Sequence, residues 1–153
     1  MRRPIAVLAV LVLAAAALAS LTAIASSATS KPATVKTGSS SLGKIVVDGK
    51  SHTLYLFEKD RHGKSACSGA CAQAWPPLLT KGMPKAVTGA KSSLLGTTKR
   101  SDGTTQVTYN RHPLYTFVAD KNKPGSTKGQ GIDAFGAKWY VVAAKGTAKI
   151  GSY

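Results

Sequence analysis

The chain repeats itself. His52, Leu54, Tyr55, Phe57 and Asp60 recur sixty residues later as His112, Leu114, Tyr115, Phe117 and Asp120, five identities in nine positions, with Gly43 falling on Gly103. Each copy then runs through a Gly/Ser/Lys-rich loop to a tryptophan, Trp75 in the first and Trp139 in the second. In an extended strand Tyr55 and Phe57 share a face, and so do Tyr115 and Phe117. A half of about 50 residues is marginal alone, so the two copies are expected to build one shared core about an approximate two-fold. That places a single two-repeat domain over residues 42–150, with repeats at about 43–97 and 103–148.

The texture inside each copy is that of strands and tight turns. Lys44-Ile45-Val46-Val47, then Asp48-Gly49, then Thr53-Leu54-Tyr55-Leu56-Phe57 reads as a hairpin, because Asp-Gly accepts positive φ at low cost. Gln106-Val107-Thr108-Tyr109, Asn110-Arg111 and Leu114-Tyr115-Thr116-Phe117 repeat that arrangement, and Trp139-Tyr140-Val141-Val142 is a further strand, in which one of Trp139 and Tyr140 should face inward and the other be more exposed. The one helical candidate in this region runs from Ala70 to Trp75 and is stopped by Pro76-Pro77. The expected fold is mostly β: a compact antiparallel domain of two pseudo-repeats with one short helix or turn near Cys67–Trp75.

Arg2 and Arg3, the uncharged apolar run from Ile5 to Ala19 and the small-x-small triplet Ala23-Ile24-Ala25 have the form of a signal peptide over residues 1–25. Cleavage after Ala28, or retention of the stretch as an anchor, are the alternatives. No cysteine lies near its end, so attachment through a lipidated N-terminal Cys is chemically closed. Residues 26–41, rich in Ser, Thr and Ala, are expected to be a flexible linker. The expected product is a secreted, cell-envelope-associated monomer in an oxidising compartment.

Charge narrows the partners. Lys and Arg number 21 against 6 Asp and Glu, a formal +15 that becomes +13 without Arg2 and Arg3. Such a field attracts polyanions over about a Debye length, ~8 Å at physiological salt. No nucleic-acid module is present and an exported chain rarely meets nucleic acid, so anionic cell-wall polymers or lipid head groups are the expected partners.

The residues that could carry chemistry are few. Asp60 and Asp120 end the aromatic strands, where a carboxylate accepts backbone N–H bonds of the following turn; a cation site or an acid/base pair is the other reading. Cys67 and Cys71 lie one helical turn apart, within disulfide reach, which suits a staple in an exported domain. Left reduced, two thiolates with His62 as a third ligand would suit copper or a redox couple. The loop from Lys121 to Gly131 is basic but lacks the spacing of a phosphate-binding Walker loop.

Tyr55-x-Phe57-x-x-Asp60 and Tyr115-x-Phe117-x-x-Asp120, with Cys67-Ser-Gly-Ala-Cys71-Ala-Gln-Ala-Trp75-Pro-Pro-Leu between them, resemble the bacterial "secreted repeat of unknown function" family. Its members are often described as predicted lipoproteins with a Y-x-[FWY]-x-x-D motif, a label from which this chain departs by lacking the lipidation cysteine. The resemblance implies location and architecture and brings no activity. The resulting expectation is an exported envelope-associated β domain, a binding module rather than an enzyme and without a cofactor, with an extracellular redox or copper-handling protein using Cys67 and Cys71 as the alternative.

Overall fold

The computed structural model describes residues 31–150. The expected signal peptide, its cleavage points and the first part of the expected linker lie outside the described residues. Strands β1 (Thr34–Ser40) and β2 (Gly43–Asp48) form an antiparallel hairpin in register from Val35↔Asp48 to Ser40↔Gly43. A short β4 (Lys85–Ala86), from later in the chain, adds parallel to the free edge of β1.

This corrects the expectation of a flexible linker through residue 41. Thr34–Ser40 has too little apolar surface to order itself, but β1 lies between two strands and places Val35 fully inside. Ordering comes from its partners, the adjacent hairpin strand β2 and the sequence-distant β4, so pairing rather than composition makes this polar Ser/Thr segment a strand. Gly38 contributes by its smallness, since a Cβ there would stand 3.1 Å from a methyl of Val47.

The second copy repeats the hairpin. β5 (Leu95–Lys99) and β6 (Thr105–Tyr109) pair antiparallel, and β7 (His112–Pro113) extends that sheet. Gly43 and Gly103 occupy the same turn position in the two hairpins, with φ of +84° and +81°, a conformation that side-chain-bearing residues adopt only with strain.

The two copies are woven together. β3 (Tyr55–Phe57) of the first copy pairs antiparallel with β9 (Ala137–Val141) of the second, which β8 (Asp133–Ala134) flanks. At the centre Tyr55 and Tyr115 exchange backbone N–H···O=C bonds of 2.8 and 3.0 Å. A residue pairing with its own counterpart marks the pseudo-two-fold. The same relation links two small hydrogen-bonded rings of backbone, Val46–Leu54–Val142 and Val107–Leu114–Leu78.

Because β3 is buried on both faces, it feeds two clusters. Tyr55 and Phe57 face Trp75, Tyr115 and Trp139, while Leu54 and Leu56 face Val35, Val107, Leu114 and Val142. Both clusters draw on both copies, so the chain is one mostly-β domain. Helix α1 (Ala70–Ala74) is five residues long, begins after Gly69 and ends at Trp75-Pro76. No helix among the described residues is long and apolar enough to cross a membrane.

Candidate functional site

The aromatic residues of the motif meet in a four-ring stack on the pseudo-two-fold. Phe57 lies 4.0 Å from Trp139, Trp139 lies 4.0 Å from Trp75, and Trp75 lies 4.0 Å from Phe117, with interplanar angles of 7°, 3° and 18°. Members alternate between copies, so neither half can form the stack alone. Tyr55 meets Trp75 edge-on at 5.3 Å and Tyr115 meets Trp139 edge-on at 5.1 Å, an arrangement that adds about 0.5–1.5 kcal/mol per pair beyond area burial.

The polar end of the motif crosses over in the same way. Tyr55 Oη donates to Asp120 Oδ2 at 2.6 Å and Tyr115 Oη donates to Asp60 Oδ2 at 2.9 Å. Each aspartate thus satisfies the other copy's tyrosine. Asp60 also accepts the Ala66 N–H at 2.8 Å, and Asp120 accepts the Ser126 hydroxyl at 2.6 Å and the Lys128 N–H at 3.0 Å. The two carboxylates are bonded to separate tyrosines rather than to each other, an arrangement that does not build a joint acid/base pair.

Burial dominates the electrostatics. It lifts the Asp60 carboxyl to about 6, against the opposing pull of the Ala66 N–H, the Tyr115 hydroxyl and the Arg100 and Arg61 guanidinium groups. Burial likewise pushes the Tyr55 and Tyr115 phenols above their ordinary value, with Asp120 and Asp60 adding to the shift. The half-buried His112 moves the opposite way, since desolvation disfavours its imidazolium.

Cys67 and Cys71 are joined in a disulfide with Cα atoms 5.2 Å apart, and the two residues are 1% and 6% exposed. It packs in the same cluster as Trp75 and Tyr115. His62 stands exposed in the turn from Arg61 to Lys64. The ligand set Cys67, Cys71 and His62 is therefore not assembled: the sulfurs are bonded to each other, and among the described residues no group of three His, Cys, Asp or Glu side chains gathers in a way that could hold a metal ion.

Sequence reasoning missed Arg100. It is 7% exposed, and its guanidinium donates to Ser65 Oγ at 2.9 Å, Gln106 Oε1 at 2.8 Å and the Cys67 carbonyl at 2.7 Å. It thereby ties the disulfide loop of the first copy to the hairpin of the second. A lone Arg beside Lys and Ser carries no pattern that distinguishes it from a solvated charge.

The exterior is more basic than composition implies. Of six carboxylates, Asp48, Asp60 and Asp120 turn inward and are held by hydrogen bonds. Among the described residues, sixteen Lys and Arg are exposed against three acids, Glu58, Asp102 and Asp133. Lys31, Lys81 and Lys99 line a cleft of about 630 Å³ together with Leu79 and several Thr and Gly residues, and no carboxylate lines it. Lys121, Lys123 and Lys128 border a smaller hollow of about 300 Å³ beside Asp120.

The model of a family described as a secreted repeat of unknown function matches residues 36–79 and again 96–143. The first match begins inside β1, in agreement with that strand's place in the folded unit. No curated protein and no solved structure matches the chain. With two matches that together span more than half of its length, each ending shortly after the tryptophan of its copy, the chain belongs to the secreted repeat of unknown function family.

Proposed function

We propose that this protein is an exported, cell-envelope-associated binding domain, and not an enzyme, whose lysine-bearing exterior holds anionic surface polymers. One observation carries the reading: the fold internalises half of its few carboxylates and leaves sixteen cationic side chains exposed against three acids. The motif residues are occupied in joining the two copies, which leaves the surface for recognition. The cleft of Lys31, Lys81 and Lys99 offers three lysines beside Leu79, a combination suited to a polymer with an anionic group on a carbon backbone.

The test is adsorption to an anionic wall polymer as salt is raised. Bound fraction should fall steeply between about 50 and about 500 mM salt, as for any contact that releases condensed counterions. Replacing Lys31, Lys81 and Lys99 by Ser should flatten the salt dependence, whereas Arg at the same positions should keep it. Salt-insensitive adsorption, or equal adsorption to a neutral polymer, would overturn the reading. Vesicles with anionic head groups provide the second arm. The alternative of copper or redox handling draws no support from sulfurs that are bonded to each other and almost wholly buried.

A further inference from the structure

The duplication supplies an internal control. One corner of the fold, where the end of an aromatic strand meets the motif aspartate and the histidine of the other copy, occurs twice. In one instance Phe57, Asp60 and His112 border an open cleft of about 500 Å³. In the other, Phe117, Asp120 and His52 hold the same places and no room is left for a water molecule.

The cause is in the loops. Eighteen residues lie between Asp120 and Trp139, against fourteen between Asp60 and Trp75. The longer loop folds back over Asp120, which takes both the Ser126 hydroxyl and the Lys128 N–H, and Thr53 Oγ1 pins it by donating to the Ser126 carbonyl at 2.6 Å. The counterpart of Thr53 is Pro113, which has no hydroxyl, and the chain after Asp60 turns back at once through Arg61 and Lys64. Each oxygen of Asp60 has a single donor, Ala66 N–H on one and Tyr115 Oη on the other, so acceptor capacity remains on a carboxylate that lines the cleft.

The cleft is also electrically unlike the rest of the surface. Glu58 and Asp60 stand in it beside the Arg61 guanidinium, whose Nη1 donates to the Glu58 and Asp60 carbonyls, on a molecule whose exposed charges are mostly lysine. His112 completes the wall as a half-buried imidazole. Its volume falls in the range of small-molecule sites, roughly 300–1,000 Å³. We propose that this cleft binds a small zwitterion of the amino-acid type, its ammonium group on Asp60 with Glu58 nearby and its carboxylate on Arg61. The site is separate from the lysine cleft and stands or falls independently of the polyanion reading.

Four isosteric probes separate the contributions: L-alanine and D-alanine carry both charges, alanine methyl ester only the ammonium, and propionate only the carboxylate. Titrated into the ¹⁵N-labelled full chain up to about 50 mM, at least one alanine enantiomer should shift the amides of Arg61, Ala66, His112 and Thr147 saturably. The ester and propionate should each bind at least about tenfold more weakly, the value of one charge-assisted hydrogen bond. Asp60→Asn should abolish binding. Thr147→Trp, which fills the mouth of the cleft and leaves the bonds of Asp60 untouched, should do the same and decides the matter should Asp60→Asn fail to fold. Absence of saturable shifts, propionate binding as well as alanine, or alanine affinity surviving Thr147→Trp would overturn the proposal.

Discussion

Asp60 makes the stability of this protein depend on pH in an unusual direction. Its carboxyl titrates near 6 in the folded chain against 3.8 for an ordinary aspartate, because desolvation outweighs two hydrogen-bond donors and two guanidinium groups. The folded state holds a proton that the unfolded state has released, so the stabilisation from this group is fully present below about pH 4 and is lost as pH rises through about 6. At about 1.4 kcal/mol per pH unit the loss reaches at most ~3 kcal/mol by neutrality, less whatever solvent entering the cleft screens. His112 works against it. Burial lowers its pKa below 6.5, so its contribution is present above that value and lost on acidification. The two windows overlap, and a raw profile mixes them. Asp60→Asn separates them, because amide replaces carboxyl at nearly equal volume and keeps one carbonyl acceptor for the Tyr115 hydroxyl or the Ala66 N–H. Urea unfolding of both proteins from about pH 4.5 to about pH 7.5 should show wild-type stability falling relative to the variant by up to about 2 kcal/mol across the range. A difference that stays flat, or that favours wild type as pH rises, would refute the burial argument.

Other perturbations read the core directly. Converting both Cys67 and Cys71 to Ala opens a five-residue loop and should cost about 2 kcal/mol, a fall in Tm of roughly 5 °C by calorimetry, while thiol counting on native protein in mild reductant should find the buried bridge intact. Gly129→Ala would place a Cβ 2.7 Å from both Trp75 Cη2 and Tyr55 Cε1, so the ring stack must shift, with an expected loss of about 1–3 kcal/mol and altered tryptophan fluorescence; an unchanged melt would mean that the stack is not tightly confined. Tyr55→Phe keeps the ring but leaves Asp120 Oδ2 and the Gly129 N–H without that hydroxyl, and should cost about 1–3 kcal/mol in chemical denaturation.

How much of this was readable from the residues depended on whether the signal was local. The aromatic strand Tyr55–Phe57, the tight turn at Asn110-Arg111 and the short helix before Trp75 follow from alternation, turn chemistry and proline, whereas the turns at Gly43 and Gly103 do not. β1 was hidden because Thr34–Ser40 takes its order from β2 and β4, neither of which its own composition reveals. The repeat was plain, but its crossing was not. Within one copy Tyr55 and Asp60 are five residues apart, yet Tyr55 bonds Asp120, sixty-five residues away. Identical partners in each copy give a sequence no means to tell an internal bond from an exchanged one. Only the Tyr55–Tyr115 backbone pairing, which brings each aromatic strand against its counterpart, decides it.

The crossing bears on where function can reside. Every conspicuous residue of the motif is engaged in joining the halves: the phenylalanines and tryptophans in the stack, the tyrosines and aspartates in exchanged hydrogen bonds. Such positions must stay equivalent for the two-fold to hold, so the copies can diverge only beyond them. They do so in the segments after the aspartates, where one copy draws a longer loop over Asp120 and the other leaves Asp60 facing an open cleft. A carboxylate that served only to satisfy Tyr115 would be cheaper sealed, as Asp120 is. That Asp60 instead keeps acceptor capacity toward an open cleft is the physical reason to look for a ligand there first.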